Sequence, residues 1–515
     1  MRAEEYKISS EKFVFHKTDG DLHDKKLETK PVTYFRDALN RFAKNKASIL
    51  AFVIIVILIL FSVIAPILSP YTVSYNDGFY KFTLPKNPLF YKLGIPFWDG
   101  GTNKEVNKAT FELYRGIQEE TGREVFMTEP RIVKEKYMGK TRELYRFRLD
   151  TYNSVGVQFV RLSTAQYQQL QQYQDEKGIQ VIYPITDAKL RPEAEQDYSN
   201  ASIWYATKLG AGRKTEIVYD ENGNFIPIYK ANDGKDMYTS TMLIEGEEKL
   251  YNYAEKMDGD LWNVRVDYRE YYVFTHYLAG DGVTEPLFLL GTTDSGQDIF
   301  TCLASGARFS FILAIIVASV NLFVGAVYGA IEGYYGGKTD LLMERFVELL
   351  SSIPFMIVIT LLKYHLNASH VLILFISFFL TGWTTMAGRT RMQFYRFKNQ
   401  EYVLVARTLG AGDRRIMFKH IFPNAIGTLI TGSVLVIPSV IFSETSLSYL
   451  GIINLNSGNM TSVGTLLAKG QNFLFTYPHM ILFPAIFISL LMLSFNLFGN
   501  GLRDAFNPSL RGTEE

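Results

Sequence analysis

Apolar residues along this 515-residue chain gather into a few charge-free blocks, and charged residues fill the stretches between them. Residues 47–69 (ASILAFVIIVILILFSVIAPILS) carry no charge over 23 positions, and 309–331 and 480–502 are equally clean. At about 1.5 Å per residue, each block can cross a hydrocarbon core of roughly 30 Å. Three shorter blocks, about 346–362, 371–387 and 425–443, suit the same role. Glu348 sits near one end of the first of these, where a side chain can reach the interface. The pattern predicts six spans. The first block begins only after 46 polar residues, so it is expected to persist as a span and not to be cleaved as a signal peptide.

Lysine and arginine near the spans set the orientation. Arg36, Arg41, Lys44 and Lys46 lie just before the first span. Residues 389–419 hold eight basic side chains against two acids, Glu401 and Asp413. Six spans put both segments on one side, read as cytoplasmic. The 334–345 loop and the tail after Leu502 are then inside, and 71–308 and 451–479 outside.

The long polar stretch 71–285 is mildly acidic, with 27 basic and 32 acidic residues, and it contains no cysteine. Tyrosine-rich alternating runs, Tyr145–Tyr152 and Val155–Leu162, predict strands. Glu216–Lys230 (EIVYDENGNFIPIYK) reads as a hairpin turning at Asn222-Gly223. Ser163 and Gln166 form a capping box for a helix that Gly178 can close. An extracytoplasmic α+β domain is the expectation.

Composition narrows the function classes. Near-equal basic and acidic counts, 53 and 52, argue against a general nucleic-acid binder. The single cysteine, Cys302, excludes a disulfide framework within the chain, and the seven histidines show no H-E-x-x-H spacing. GYYGGKT (Gly333 to Thr339) superficially resembles a phosphate loop, yet three residues separate Gly333 from Gly337 where the nucleotide motif needs four. It reads as a tight turn in which glycines take positive φ and Lys338 faces the membrane surface.

EYVLVARTLGAGDRRIMFKHIFPNA (residues 401–425) carries the strongest candidate site. Tyr402 to Leu409 is expected to form a short helix with Val403 and Ala406 on one side. Gly410 and Gly412 then break it by tolerating left-handed geometry. Asp413 is expected to cap a second helix beginning Arg414-Arg415, and Pro423 to end it. The result is a helical hairpin at the membrane surface, to be weighed against a plain loop anchored by arginines.

This segment resembles the cytoplasmic "EAA" loop of ABC importer permeases, with pattern E-A-A-x3-G-x9-I-x-L-P. Ala406, Gly410 and Pro423 match, while Leu404, Val405, His420 and Phe422 depart from it. GTTDSGQDIFTCLASGARFS (291–310), GYYGGKTDLLMERFVELLSSIP with Asp340, Arg345, Glu348 and Pro354, ETSLSYLG (444–451) and NLFGNGLRDAFNPSLR are similar to elements of the C-type permeases of oligopeptide and dipeptide importers. The resemblance covers 288–511 well and 30–70 weakly.

The resemblance implies a type I ABC importer permease fold of six transmembrane helices with an inserted α+β extracytoplasmic domain. Its parts are a cytoplasmic segment 1–46, a transmembrane helix 47–69, the insertion 71–285 and a permease core 286–511 with the coupling loop 401–423. It implies a bacterial-type cell-membrane, multi-pass protein with both termini cytoplasmic. It also implies a B-type permease partner, one or two ATPase subunits that bind ATP and magnesium, an extracytoplasmic peptide-binding protein and surrounding membrane lipid. This chain itself would bind no cofactor or metal and catalyse no reaction. Coupling is assigned to Ala406, Gly410, Ala411, Gly412, Asp413, Arg414 and Pro423, with Arg415 beside them. Glu444, Asn321, Thr381 and Ser433 are candidate gate or path residues, although polar groups inside spans commonly bond their own backbone or a neighbouring helix. Two alternatives stay open: a permease for another solute such as nickel, and a membrane receptor with an outer sensor domain.

Overall fold

A computed structural model describes residues 34–137, 140–187, 190, 200–211, 215–231, 251–455 and 460–506. The segment before Tyr34, predicted as cytoplasmic, and the NPSLR end of the last motif lie outside the described residues.

The amphipathic helix α1 (Tyr34–Lys44) leads into α2 (Lys46–Leu68), whose N-terminus is capped by Asn45. Four further helical runs among the described residues are long and apolar enough to cross a membrane: α7 (Ile299–Tyr335), α10 (His370–Phe397), the run Asp413–Tyr449, and α16 (His479–Phe506). The predicted span at 346–362 takes a different form. Here α8 (Gly337–Ser351) and α9 (Phe355–His365) meet at 72°, with Ser352, Ile353 and Pro354 between them. Pro354 has no N–H to continue the helix and biases Ile353 away from helical geometry, so an apolar stretch of sufficient length is broken.

Small residues let α7 and α10 approach closely. Gly325, Gly329 and Gly333 recur every fourth position and so share one face of α7. A Cβ on Gly325 would lie 2.6 Å from the Cβ of Met386, and one on Gly333 2.7 Å from the Cβ of Phe394. Hydroxyls inside the helices mostly bond back to their own backbone, as Ser377 does to the Ile373 carbonyl (2.7 Å) and Thr390 to that of Met386 (2.9 Å).

Between α2 and α7 lies an α+β unit. The short helix α3 (Pro88–Lys92) precedes an antiparallel sheet of order β1-β3-β2, formed by β1 (Gly101–Val106), β2 (Arg131–Tyr137) and β3 (Lys140–Asp150). Its register pairs Gly101 with Asp150 and Arg131 with Arg146. In the second sheet β9 (Leu261–Asp267) is central, with β4 (Val157–Ser163) on one edge and β5 (Ile182–Tyr183) and β8 (Ala254–Lys256) on the other. Helices α4 (Lys108–Thr121), α5 (Thr164–Lys177) and α6 (Tyr268–Ala279) pack on these sheets. The Ser163–Gln166 capping box and the left-handed Gly178 bound α5, as the sequence predicts.

The predicted 216–230 hairpin forms only at its tip. Tyr219 bridges Phe225 around Gly223 (φ +82°), and the Asp220 carboxylate accepts from the backbone N–H groups of Asn222 and Asn224. Its arms pair elsewhere: β7 (Thr215–Ile217) with β6 (Thr207–Leu209), Pro227 with Tyr205, and Tyr229 with Thr186. The Phe225 ring stacks on Tyr205 at 4.6 Å, so aromatic burial decides where that arm lies.

The α+β unit and the 401–423 hairpin sit at opposite ends of α7. The first turn of α7 follows the insertion, and Tyr334 in its last turn bonds the hairpin. A helix of 37 residues separates them by about 50 Å.

Candidate functional site

Helix α11 (Glu401–Thr408) opens the hairpin. It closes by two bonds, Ala411 N–H to the Ala406 carbonyl and Gly410 N–H to that of Arg407, both 3.0 Å. Gly410 supplies the left-handed residue this closure requires, with φ +82°. Gly412 does not: its φ of −70° is extended backbone open to any residue, so one glycine and not two makes the turn.

The second arm differs from its prediction at both ends. Gly412 occupies the cap position before α12 (Asp413–Arg415), and no side chain caps it. Asp413 instead accepts a 2.6 Å hydrogen bond from the Tyr334 hydroxyl of α7. Pro423 does not end the helix. A π-helical turn, Ile416–Ile421, leads straight into α13 (Phe422–Val434), which carries the proline in its first turn and continues through Leu435 into α14 (Val436–Tyr449). Proline's missing N–H and its ring are tolerated in a first turn, and the wider π turn before it shifts the bonding pattern that an interior proline would break.

The hairpin is anchored from beneath. Val403, Ile416, Met417 and Ile421 are buried with Ala330 and Tyr334 of α7 and Phe394 of α10. Ala406 and Ala411 turn towards this core, whereas Gly410, Gly412, Arg414, Arg415, Lys419 and Pro423 are exposed. Leu409 at the tip is 82% exposed, and Phe418 is also bare. A Cβ on Gly410 or Gly412 would meet nothing within 4 Å. The tip is therefore a basic, partly apolar projection on a buried base.

Beside the base lies a charge network. The Arg391 guanidinium makes two bonds to Asp340, 2.6 and 2.9 Å, and lies 3.3–3.4 Å from Glu344 and Glu332. Tyr395 donates to Asp340 (2.7 Å), and Lys398 to the Gly333 carbonyl (2.9 Å). Desolvation pushes the Lys398 pKa below the ordinary lysine value, opposed by the charge of Asp340. Gly336 and Gly337, at φ +66° and +58°, form the turn read from GYYGGKT, and Lys338 is exposed there. Sequence reasoning missed Tyr334 and Arg391 as supports; Tyr334 lay inside a motif already singled out, but was read only as part of a turn.

The candidate path residues divide into two places. Asn321 on α7 faces Gly382 of α10, whose Cβ would lie 3.0 Å from its amide carbon. Thr381, next in chain to Gly382, bonds back to the Ser377 carbonyl (3.3 Å), and Ser433 donates to the α7 carbonyl of Ala318 (3.4 Å). Glu444 lies apart, fully buried, accepting from Ser310 of α7 at 2.8 Å and from Ser448 at 3.0 Å. It braces α7 against α14. Helix α15 (Val463–Gly470) completes the joint: a Cβ on Gly464 would lie 2.7 Å from the Cβ of Ser448.

Two family models match the chain. "Binding-protein-dependent transport system inner membrane component" covers residues 325–512, and "N-terminal TM domain of oligopeptide transport permease C" covers 33–85. The chain is 40% identical over 240 residues to the oligopeptide transport system permease protein OppC of Bacillus subtilis (strain 168), covering 47% of this chain and 78% of that protein. It is 39% identical over 227 residues to the protein of the same name from Haemophilus influenzae, covering 44% and 72%. Against the dipeptide transport system permease protein DppC of Bacillus subtilis it is 37% identical over 222 residues, covering 43% and 68%.

Proposed function

We infer the function of this chain from the family to which it belongs, the inner-membrane components of binding-protein-dependent transport systems, in the branch of oligopeptide permease C. It is a multi-pass membrane permease subunit of an ATP-driven peptide importer and forms half of the translocation pathway. ATP hydrolysis belongs to separate subunits, so the chain needs a mechanical link to them and no nucleotide site of its own. The hairpin 401–423 is that link, and Gly410 to Arg414 are the residues that enter the ATPase. Arg414 and Arg415 supply charge, while Ala406 and Ala411 seat the hairpin on α7 and α10. A B-type permease completes the pathway, one or two ATPases dock at the hairpin, and a peptide-binding protein delivers substrate.

Counting the bent α8–α9 pair as one span gives six, with both termini and the hairpin cytoplasmic and residues 71–308 outside. The excess of lysine and arginine in 389–419 supports that orientation. Glu444, Asn321, Thr381 and Ser433 govern how α7, α10 and α14 move against one another. The bonds of Thr381 and Ser433 to backbone carbonyls and of Glu444 to Ser310 of α7, with the close fit of Asn321 against Gly382, favour this role over direct contact with peptide.

The exposed tip on its buried base is the observation that carries the coupling role. Gly410→Val tests it. A β-branched residue at φ +82° costs roughly 1–2 kcal/mol locally, and the space around Gly410 is empty, so the bundle should fold and the permease partner should remain bound. ATPase co-purification and peptide uptake should both collapse. Full uptake with undiminished ATPase recovery would reduce the hairpin to a turn.

A further inference from the structure

Residues 91–97 (YKLGIPF), beginning with the last two residues of α3, are all exposed, and Lys92 alone among them is charged. Leu89, Leu93 and Phe97 are 61%, 63% and 64% exposed. Such a run of bare apolar side chains marks a contact surface. It is fastened to the top of the last long helix by Trp98. That indole donates to the Leu289 carbonyl, and its ring lies 5.5 Å from Phe483, in the first turns of α16. Trp98 holds φ at +61°, a conformation that a non-glycine residue keeps only when its surroundings dictate it. Phe82, at φ +56°, is seated the same way: its ring stacks on Tyr477 at 4.4 Å and lies 4.8 Å from Phe473, just before α16 begins.

On either side of Phe483, α16 turns Leu482, Ile486 and Leu493 outward, each more than half exposed. In a multi-pass membrane protein this flank meets hydrocarbon, and the bare segment adjoins it through Trp98. Leu289 also lines an apolar crevice of about 770 Å³ against Leu60, Ile64 and Leu68 of α2, which carries the same rim round to the first span. A tryptophan at the junction, apolar side chains beside it and one lysine to reach headgroups match the polar–apolar boundary of a bilayer.

We propose that Leu89–Trp98 is an interfacial anchor that seats the α+β unit on the lipid of the adjoining leaflet. The insertion thereby keeps a set height and tilt over the end of the bundle, held by lipid as well as by its two chain connections.

The test uses the assembled transporter in vesicles of phosphatidylethanolamine and phosphatidylglycerol. A nitroxide is placed at Leu93→Cys or Phe97→Cys, with Lys134→Cys on exposed β2 as the aqueous reference; native Cys302 is buried and should not label. Collision with oxygen, which concentrates in the bilayer, is compared with collision with a water-soluble nickel chelate. The oxygen-to-nickel ratio should be several-fold higher at 93 and 97 than at 134. An equal ratio at all three positions would overturn the anchor. Exclusion of both reagents at 93 and 97 would also overturn it, by placing a protein partner on the segment.

Discussion

Helices α7 and α10 close on each other through glycines, whereas the centre of the insertion is filled by tyrosines and an ion pair. At the helix pair, Gly325, Gly329 and Gly333 bring backbone against backbone. In the insertion, the Arg265 guanidinium is fully buried and makes two bonds to Glu120, 2.5 and 2.6 Å, with further bonds to the carbonyls of Ala201 and Pro184. Tyr229 donates to the same carboxylate (2.9 Å). Tyr71, Tyr80, Tyr152, Tyr268 and Tyr272 pack together with Phe288 where the insertion meets the bundle. The difference follows from solvent. Lipid tails are as apolar as leucine, so helices in a bilayer gain by close fit and not by burying large side chains. A domain folding from water gains most from aromatic area, and its buried polar groups must be paired.

The strongest way to break this contrast is Glu120→Ala, which leaves Arg265 buried without its partner, a loss of about 3–5 kcal/mol. Proteolysis should then cut within 100–280 while the long helices stay protected. Simultaneous loss of both regions would show that they fold as one unit. Gly329→Leu should do the reverse. Its Cβ would lie 2.9 Å from the Ala387 carbonyl carbon and 2.9 Å from the Thr390 Cβ. Overpacking of this kind costs about 1–3 kcal/mol, so a lowered melting temperature in detergent with an unchanged insertion is the expected result.

Tyr334→Phe sharpens the comparison, because here the bundle borrows the insertion's device of an aromatic hydroxyl on an acid. The ring keeps its packing, and the lost bond to Asp413 should cost about 1 kcal/mol. Abundance should be nearly normal, while peptide transported per ATP hydrolysed falls; an unchanged ratio would make the contact merely structural. The smallest effect belongs to Lys338→Ala. This exposed lysine beside the Gly336–Gly337 turn should shift stability by less than about 0.5 kcal/mol and leave the ATPase rate of the complex unaltered. A reduced rate would reopen the reading of GYYGGKT as a phosphate loop.

Local rules made part of the fold and site legible. Five long apolar helices lie where charge-free blocks predict them, because each apolar residue adds to the free energy of insertion and the length of the run matches the hydrocarbon core. The capping box at Ser163 and the turn at Gly410 were equally readable, since each satisfies backbone groups within a few residues. Local rules misled where a distant partner or a neighbouring turn intervened. Asp413 has the composition of a cap but is drawn to Tyr334, 79 residues away in the chain. Pro423 has the signature of a stop but follows a π turn that accommodates it, whereas Pro354 with the same signature does break its span.

The sequence by itself therefore determined the membrane-crossing helices, the polar insertion between the first two of them and the exposed glycine-tipped hairpin. Only the tertiary structure decided which groups meet across long separations: Arg265 with Glu120 over 145 residues, Arg391 with Asp340 over 51, and Trp98 with the start of α16. Apolar length, caps and left-handed glycines act through neighbours along the chain, and so leave a mark in the order of residues. A buried ion pair or a ring-on-ring contact is selected by which surfaces come together, and that depends on the packing of every element at once.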